Sequence, residues 1–362
     1  MDSVTQITLG AAVGEATAGR EAGLKAPLWG AAFGLLPDLD VLANPFLTEL
    51  QALTMHRSVT HSLVFIALVS ACAAYGLRRF HRDIPVSVGK WGALVALTLG
   101  THVGLDCLTT YGTQVFWPFS NYPVVHGAVF IIDPLYTVPL AVGLLVSLRW
   151  NATASARRWA NYTGLALSSA YLVFTVVNKE YVRQVFDEAL SDTAPHYERL
   201  FTSPTPFNNL LWQGVAETED GYYVGDYSLL DPDRAVNFQY VPKQHDLLAD
   251  QWSNPVVRDL RRFSRGYFVV RRGDGALRIH DLRFGRNDVG LTDDGEYLFT
   301  YRLQQGPEGT VVGIARPEPP FELDAALLRR FLARIQGQSV ASLQSVRFGE
   351  QMPVWRMRRG TN

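Results

Sequence analysis

Three short stretches place side chains whose types and spacing can do chemistry. In THVGLDCLTTYG (101–112), His102, Asp106 and Thr109 stand at i, i+4 and i+7 and share one helix face. A histidine and an aspartate one turn apart can ligate one ion; the same pair can also lock two helices through a His–Asp hydrogen bond. In HRSVTHS (56–62), His56 and His61 are five apart. They face one site if Ser58 caps a helix, with His56 in the preceding turn and His61 in the first helical turn. Arg57 between them suits a substrate anion or a lipid headgroup. In GLLPDLDVL (34–42), Pro37 interrupts an apolar stretch and two carboxylates follow. An extended segment here points Asp38 and Asp40 to the same side, where bare anions near lipid must protonate, find cations or bind metal.

Together these stretches supply Asp38, Asp40, His56, His61, His102 and Asp106. A mixed His/Asp shell suits Zn²⁺ first, with Mn²⁺ or Fe²⁺ also accommodated, and disfavours Cu(I). Six donors exceed the need of one tetrahedral zinc with an open position; two ions ~3.5–4 Å apart would use them. Glu15 and Asp133 are further candidates, each as bridging ligand, general base or partner of a histidine. Asp133 precedes Pro134, so a helix cap is its other reading. Asp106 is also a general-base candidate if free of metal. His81 falls in a basic loop and should be uninvolved.

These side chains need elements to hold them, and the composition says which. The chain has 362 residues, a formal net charge of −1 and two cysteines, both in apolar runs. That excludes a disulfide framework and a Cys-rich zinc site, and offers no basic field for nucleic acid. MDSVTQITLG lacks the basic start and apolar core of a signal peptide. Five apolar segments, near 26–43, 62–77, 91–108, 128–148 and 160–177, read as membrane spans. Residues 4–18, with Gly10, Gly14 and Ala18 at four-residue spacing, make a sixth, short or re-entrant helix. The expected fold is therefore an α-helical membrane bundle of five to six helices over 1–182, followed by a small soluble α+β domain over 183–362.

Arg78, Arg79, Arg82 and Lys90 mark 78–90 as cytoplasmic, and Arg149, Arg157 and Arg158 mark 149–159 likewise. The loop 109–127 carries no Lys or Arg, so it and the C-terminal domain should be extracytoplasmic. This topology puts all three chemical stretches, with Asp133, at the outer face of the membrane.

In the second half, 211–217 with 221–229 reads as a hairpin, and 266–285 as two strands around Gly273-Asp274-Gly275. Residues 296–304 and 310–316 add two strands, and 321–337 reads as an amphipathic helix. PTPFNNL (204–210) reads as a turn. His245 and His280 lack spaced partners and read as structural.

The stretches MDSVTQITLGAAVGEA, GLLPDLDVL, HRSVTHSL, HVGLDCLTTYGTQVFWPFS and FIIDPLYTVPL together resemble the YdjM-like family of membrane-bound metal-dependent hydrolases. The resemblance covers most of the first 180 residues and runs more weakly through 204–215 and 280–285. It implies an inner-membrane location and metal positions at Asp38, Asp40, His56, His61, His102 and Asp106. It also implies a distant analogy to zinc-dependent phospholipase C and P1-type nucleases, hence a phosphoester. One departure stands out: His126-Gly127 occupies the place of an Asp-Ser-like pair, so any ligand role there would pass to His126. The implied activity is hydrolysis of a lipid or lipid-linked ester by a metal-activated water, with Arg57 on the substrate anion. The competing readings are an ion or proton transporter using the same residues, and a membrane protein whose metal is structural.

Overall fold

The computed structural model describes residues 1–194, 196–273, 275–288, 295–306, 309–316 and 325–338. Helix α1 (Ser3–Ala22) starts where the Asp2 carboxylate accepts the Thr5 amide at 3.0 Å. It turns back at Gly23, φ 58°, into α2 (Lys25–Leu35). The small-residue stripe has a clear structural use. Gly10 and Gly14 of α1 meet Gly30 and Gly34 of α2 at backbone contact, so a Cβ on Gly30 would lie 2.1 Å from the Gly10 carbonyl oxygen. Gly30→Val should therefore cost about 3 kcal/mol, the upper part of the overpacking range, read as a lowered thermal midpoint of the detergent-purified protein.

The other bundle helices are α4 (Leu63–Phe80), α5 (Val88–Cys107), α6 (Pro134–Ser147) and α7 (Ser155–Thr193). Short α3 (Glu49–Met55) lies outside the bundle and opens with a Thr48/Gln51 capping box. Two helices among the described residues, rather than the five segments expected, are long and apolar enough to cross a membrane: Leu63–Phe80 and Ser155–Ser191. Prolines explain part of the difference. Pro37 helps end the first apolar run in a 3₁₀ segment, and Pro134 starts α6 late, leaving 14 residues or roughly 21 Å. α1 and α5 are instead largely packed inside the bundle, with Thr98, His102 and Asp106 of α5 buried.

α7 is long enough both to cross and to project. At ~1.5 Å per residue its 39 residues reach roughly 58 Å. The boundary expected at 182/183 falls inside this unbroken helix. Val182, Val185 and Phe186 pack on Trp212 and Tyr227 of the following domain.

That domain holds two four-stranded antiparallel sheets, each in chain order. The first is β1 (Arg199–Pro204), β2 (Leu211–Glu217), β3 (Gly221–Ser228) and β4 (Phe238–Pro242). The second is β5 (Phe268–Gly273), β6 (Ala276–Arg286), β7 (Tyr297–Gln305) and β8 (Val311–Ala315). Val215 faces Val224 in the first sheet and Ile279 faces Tyr301 in the second. Phe201, Val215 and Tyr222 share a core with Val269 and Leu282, so the sheets pack against each other. The predicted strands are present. β1, β4 and helix α8 (Pro255–Phe263) were not expected, and α9 (Ala325–Ile335) lies within the predicted helix, whose residues 321–324 fall outside the described residues.

The second sheet is docked on the chemical end of the bundle. Leu53 of α3 joins the core formed by Leu260, Phe263, Ile279 and Tyr301, and Tyr111 packs on Phe263 with ring centroids 5.1 Å apart.

Candidate metal centre

One end of the bundle gathers Lys25, Arg78, Arg79, Arg82, Lys90 and Arg149 at helix termini and turns. Lys90 meets Glu21 there at 2.6 Å. The opposite end gathers residues 36–62, the 108–133 segment and the sheets. All six expected metal positions lie at that end, and four of them converge. Ligand atoms of Asp38, His61, His102 and Asp106 all lie within 4.8 Å of one another. This group can hold a metal ion.

Each side chain arrives by a local rule. His102 and Asp106 share a face of α5, with His102 Nε2 3.6 Å from Asp106 Oδ2. His61 ends a 3₁₀ turn, Val59–His61. The cap of the next helix is Ser62, whose hydroxyl accepts the Phe65 amide at 3.1 Å; Ser58, the expected cap, instead bonds the Met55 carbonyl. Asp38 and Asp40 sit in a 3₁₀ segment, Leu36–Phe46, not in an extended one. At three residues per turn, positions i and i+2 diverge, and the two carboxylates face neighbouring points rather than one. Asp38 Oδ1 lies 3.4 Å from His61 Nε2 and 3.6 Å from His102 Nε2. Asp40 Oδ1 instead takes His56 Nδ1 at 2.9 Å.

Hydrogen-bond chemistry fixes what the histidines present. The Gly34 carbonyl can only accept, so His102 Nδ1, 2.7 Å away, carries a proton, and in the neutral ring Nε2 is the free acceptor. Asp40 Oδ2 can only accept from the Thr60 hydroxyl, 3.3 Å away. That hydroxyl therefore accepts from His61 Nδ1 at 3.0 Å, and in the neutral ring His61 Nε2 is likewise the free acceptor. The two Nε2 atoms stand 3.2 Å apart. Buried Asp106 Oδ2 lies 3.3 Å from His61 Nε2 and 3.2 Å from Arg57 Nε and makes a hydrogen bond with neither. Two imidazoles that present Nε2 when neutral, together with two carboxylates, form a donor set that fits a cation, and the outer partners Gly34, Thr60 and Asp40 orient the ligands as metal sites require.

Arg57 is buried at the edge of the cluster, with left-handed backbone, φ 59°. Its Nη1 donates to Thr109 Oγ1 at 3.0 Å, and its guanidinium lies over the Tyr111 ring. The Met1 amine bonds Asp106 Oδ1, which also accepts Gln6 Nε2 at 3.0 Å. Sequence reasoning did not reach Gly34, Thr60 or Gln6. A backbone carbonyl has no residue-type signal, and a threonine beside a histidine is too common to read.

Two other candidates are held elsewhere. Glu15 forms a buried two-pronged ion pair with Arg157 at 2.6 and 2.7 Å, about 13 Å along α1 from Gln6. Asp133 caps α6, accepting the Leu135 amide at 3.0 Å and the Tyr171 hydroxyl at 2.8 Å. His126 sits beside Cys107 backbone, away from the four-residue group. His245 stacks on Phe268, and His280 bonds Thr300. Burial, aided by Arg271 and Arg278, pushes the His280 imidazole down to about 4. His280 is therefore neutral near pH 7, in keeping with a structural role.

A family described as YdjM inner membrane protein matches residues 1–182, half of the chain and all of the bundle that carries this cluster except the end of α7. The chain is a member of the YdjM family. The inner membrane protein YbcI of Escherichia coli (strain K12) is 32% identical over 131 residues, covering 33% of this chain and 73% of that relative. No solved structure matches. This YdjM protein is thus an inner-membrane protein with a cluster able to hold a metal ion, and the sheets that follow residue 198 lie beyond the matched region.

Proposed function

We propose that this YdjM protein is a metal-dependent hydrolase of the inner membrane. Its substrate is a lipid or lipid-linked ester, with phosphoesters first. The observation that carries the reading is the convergence of His61 and His102, each with Nδ1 engaged by an outer partner and Nε2 turned inward, 3.2 Å apart between the carboxylates of Asp38 and Asp106. Zinc suits this His₂Asp₂ set best, with manganese or iron as alternatives. A bound ion would supply Lewis acidity toward a water and an ester oxygen. A second ion would draw on Asp40 and His56.

The residues of the chain set access and charge. Asp38, Asp40 and His56 keep part of their surface open, whereas His61, His102 and Asp106 do not. Leu39, Val41, Leu42, Met55 and Val59 are exposed near these open side chains in the sequence, which favours a substrate with hydrocarbon over a fully water-soluble one. Arg57 offers a guanidinium beside Asp106 for an anionic ester. The basic end of the bundle lies in the cytoplasm, so the cluster and the sheets are extracytoplasmic.

The test is turnover of bis(p-nitrophenyl) phosphate by detergent-purified protein. Turnover should vanish with a chelator, return with Zn²⁺, and be absent in a folded His102→Ala variant. Metal-loaded protein that turns over neither this diester nor a p-nitrophenyl acyl ester would sink the hydrolase reading and favour a structural metal or a transport role.

A further inference from the structure

A cavity of about 480 Å³ lies where the two sheets meet the bundle, and the cluster chemistry does not use it. Its size is that of a small-molecule or single-chain site. Its floor is built from Thr109, Thr110 and Tyr111, which follow the Asp106 turn, and from Phe130 and Ile131, which precede α6. Phe238, Phe284 and Phe299 stand among its walls, with Val224 and Val241.

Several of the polar residues around it are already engaged with the protein. Ser203 donates to the Arg283 carbonyl, Gln213 to the Leu282 carbonyl and Thr205 to the Leu211 carbonyl. The Arg283 guanidinium is paired with Asp281. What these residues leave for an occupant is largely aromatic and aliphatic surface. Asp226 also lines the cavity, and burial pushes its carboxyl up to about 7, so near pH 7 about half of it is neutral and its charge against an apolar guest is reduced.

The surroundings say where such a guest comes from. Leu135, Val138, Val142 and Leu145 form an exposed apolar stripe along one face of α6. The stripe continues through exposed Ile132 to Ile131, which is both exposed and part of the cavity lining. An exposed apolar surface along α6 therefore leads to the edge of the cavity at Ile131. On the other side, Thr109 is the residue that accepts from Arg57, the neighbour of Asp106.

We propose that this cavity binds a single hydrocarbon chain of a membrane amphiphile, admitted past Ile131 from the α6 face. The inference rests on the lipid-ester reading above for its link to chemistry: the chain is held between the sheets while the polar linkage reaches the Arg57–Asp106 edge of the cluster. Chain binding itself needs no metal.

The experiment is fluorescence titration of the full-length, delipidated protein in detergent with 11-(dansylamino)undecanoic acid. Wild type should show saturable, blue-shifted binding at one site. Val224→Trp, which fills the cavity, and Ile131→Asp, which charges its exposed edge, should each weaken binding at least tenfold. Ile131 is at the surface, so that variant keeps the test open if Val224→Trp does not fold. Saturable binding unchanged in a folded form of either variant overturns the site, as does its absence in wild type. Displacement by dioleoylphosphatidylglycerol assigns the chain to an intact lipid, and displacement by oleate alone to a free fatty acid. Displacement by neither overturns the proposal. The same titration on His61→Ala should match wild type. Binding without turnover would then fail only the hydrolase reading, and turnover without binding only the cavity.

Discussion

Asp38→Ala combined with His61→Ala should purify with background metal, where wild type carries at least one ion per chain by elemental analysis. The two residues supply half of the four converging donors, and their removal leaves His102 and Asp106, too few to hold zinc against a chelator. Stability separates this from simple misfolding. Without metal, the double change relieves the repulsion between Asp38 and Asp106 but also removes the contacts of Asp38 with His61 and His102 and leaves a void where the buried His61 ring stood. The metal-free variant should therefore melt below metal-free wild type but still unfold cooperatively. Its gain on adding Zn²⁺ should disappear, whereas wild type gains about 2.7 kcal/mol at a hundred times Kd. A graded companion is Thr60→Val. It leaves all four ligands but removes the hydroxyl that holds the proton on His61 Nδ1, so metal affinity should fall roughly 10- to 100-fold. Stoichiometric metal in the double variant would place the ion elsewhere or nowhere.

The site was readable in the sequence to the extent that its residues share one regular element. His102 and Asp106 lie on a continuous helix, so their spacing alone aligns them. Asp133 before Pro134 likewise announces a cap, which it makes. Asp38 and Asp40 are harder. After a proline the backbone can run extended or wind into a 3₁₀ turn, and the choice depends on what the side chains find. Here His61 and His56 stand at two different points, and winding lets each carboxylate reach one. Ser58 and Ser62 were equivalent caps by type; the 3₁₀ turn at 59–61 delays the helix and gives the role to Ser62.

In the second half the hairpins were legible from alternation and from the turn at Gly273–Gly275. β1 and β4 were not. β1 ends in Pro204 at the border of a turn, and β4 is a five-residue edge strand with weak alternation. Of the expected spans, α4 and α7 stand as single apolar helices long enough to cross, while Pro37 and Pro134 shorten two other runs.

Glu15 gives the sharpest contrast between a catalytic and an architectural carboxylate. Its two oxygens take Arg157 Nε and Nη2 at 2.6 and 2.7 Å, and both side chains are buried between α1 and α7. The pair also requires Gly19, where a Cβ would fall 2.4 Å from the Glu15 carboxyl carbon. Glu15→Ala leaves a buried guanidinium whose remaining hydrogen bond is to the Trp150 carbonyl at 3.3 Å. Stranding one partner of a buried pair costs about 3–5 kcal/mol, so this should be among the most destabilising single changes in the bundle. Replacing both, as Glu15→Leu with Arg157→Leu, removes the stranded charge and should recover most of that loss, because the pair's attraction is offset by the cost of taking both ions out of water. Thermal unfolding of the single and double variants, followed by size-exclusion in detergent, measures both effects. Phosphodiester turnover measured well below the melting point should track the folded fraction in each variant. A Glu15→Ala protein that melts like wild type yet loses turnover would return Glu15 to the chemistry, and would mean that its geometry with Arg157 is not what holds α1 against α7.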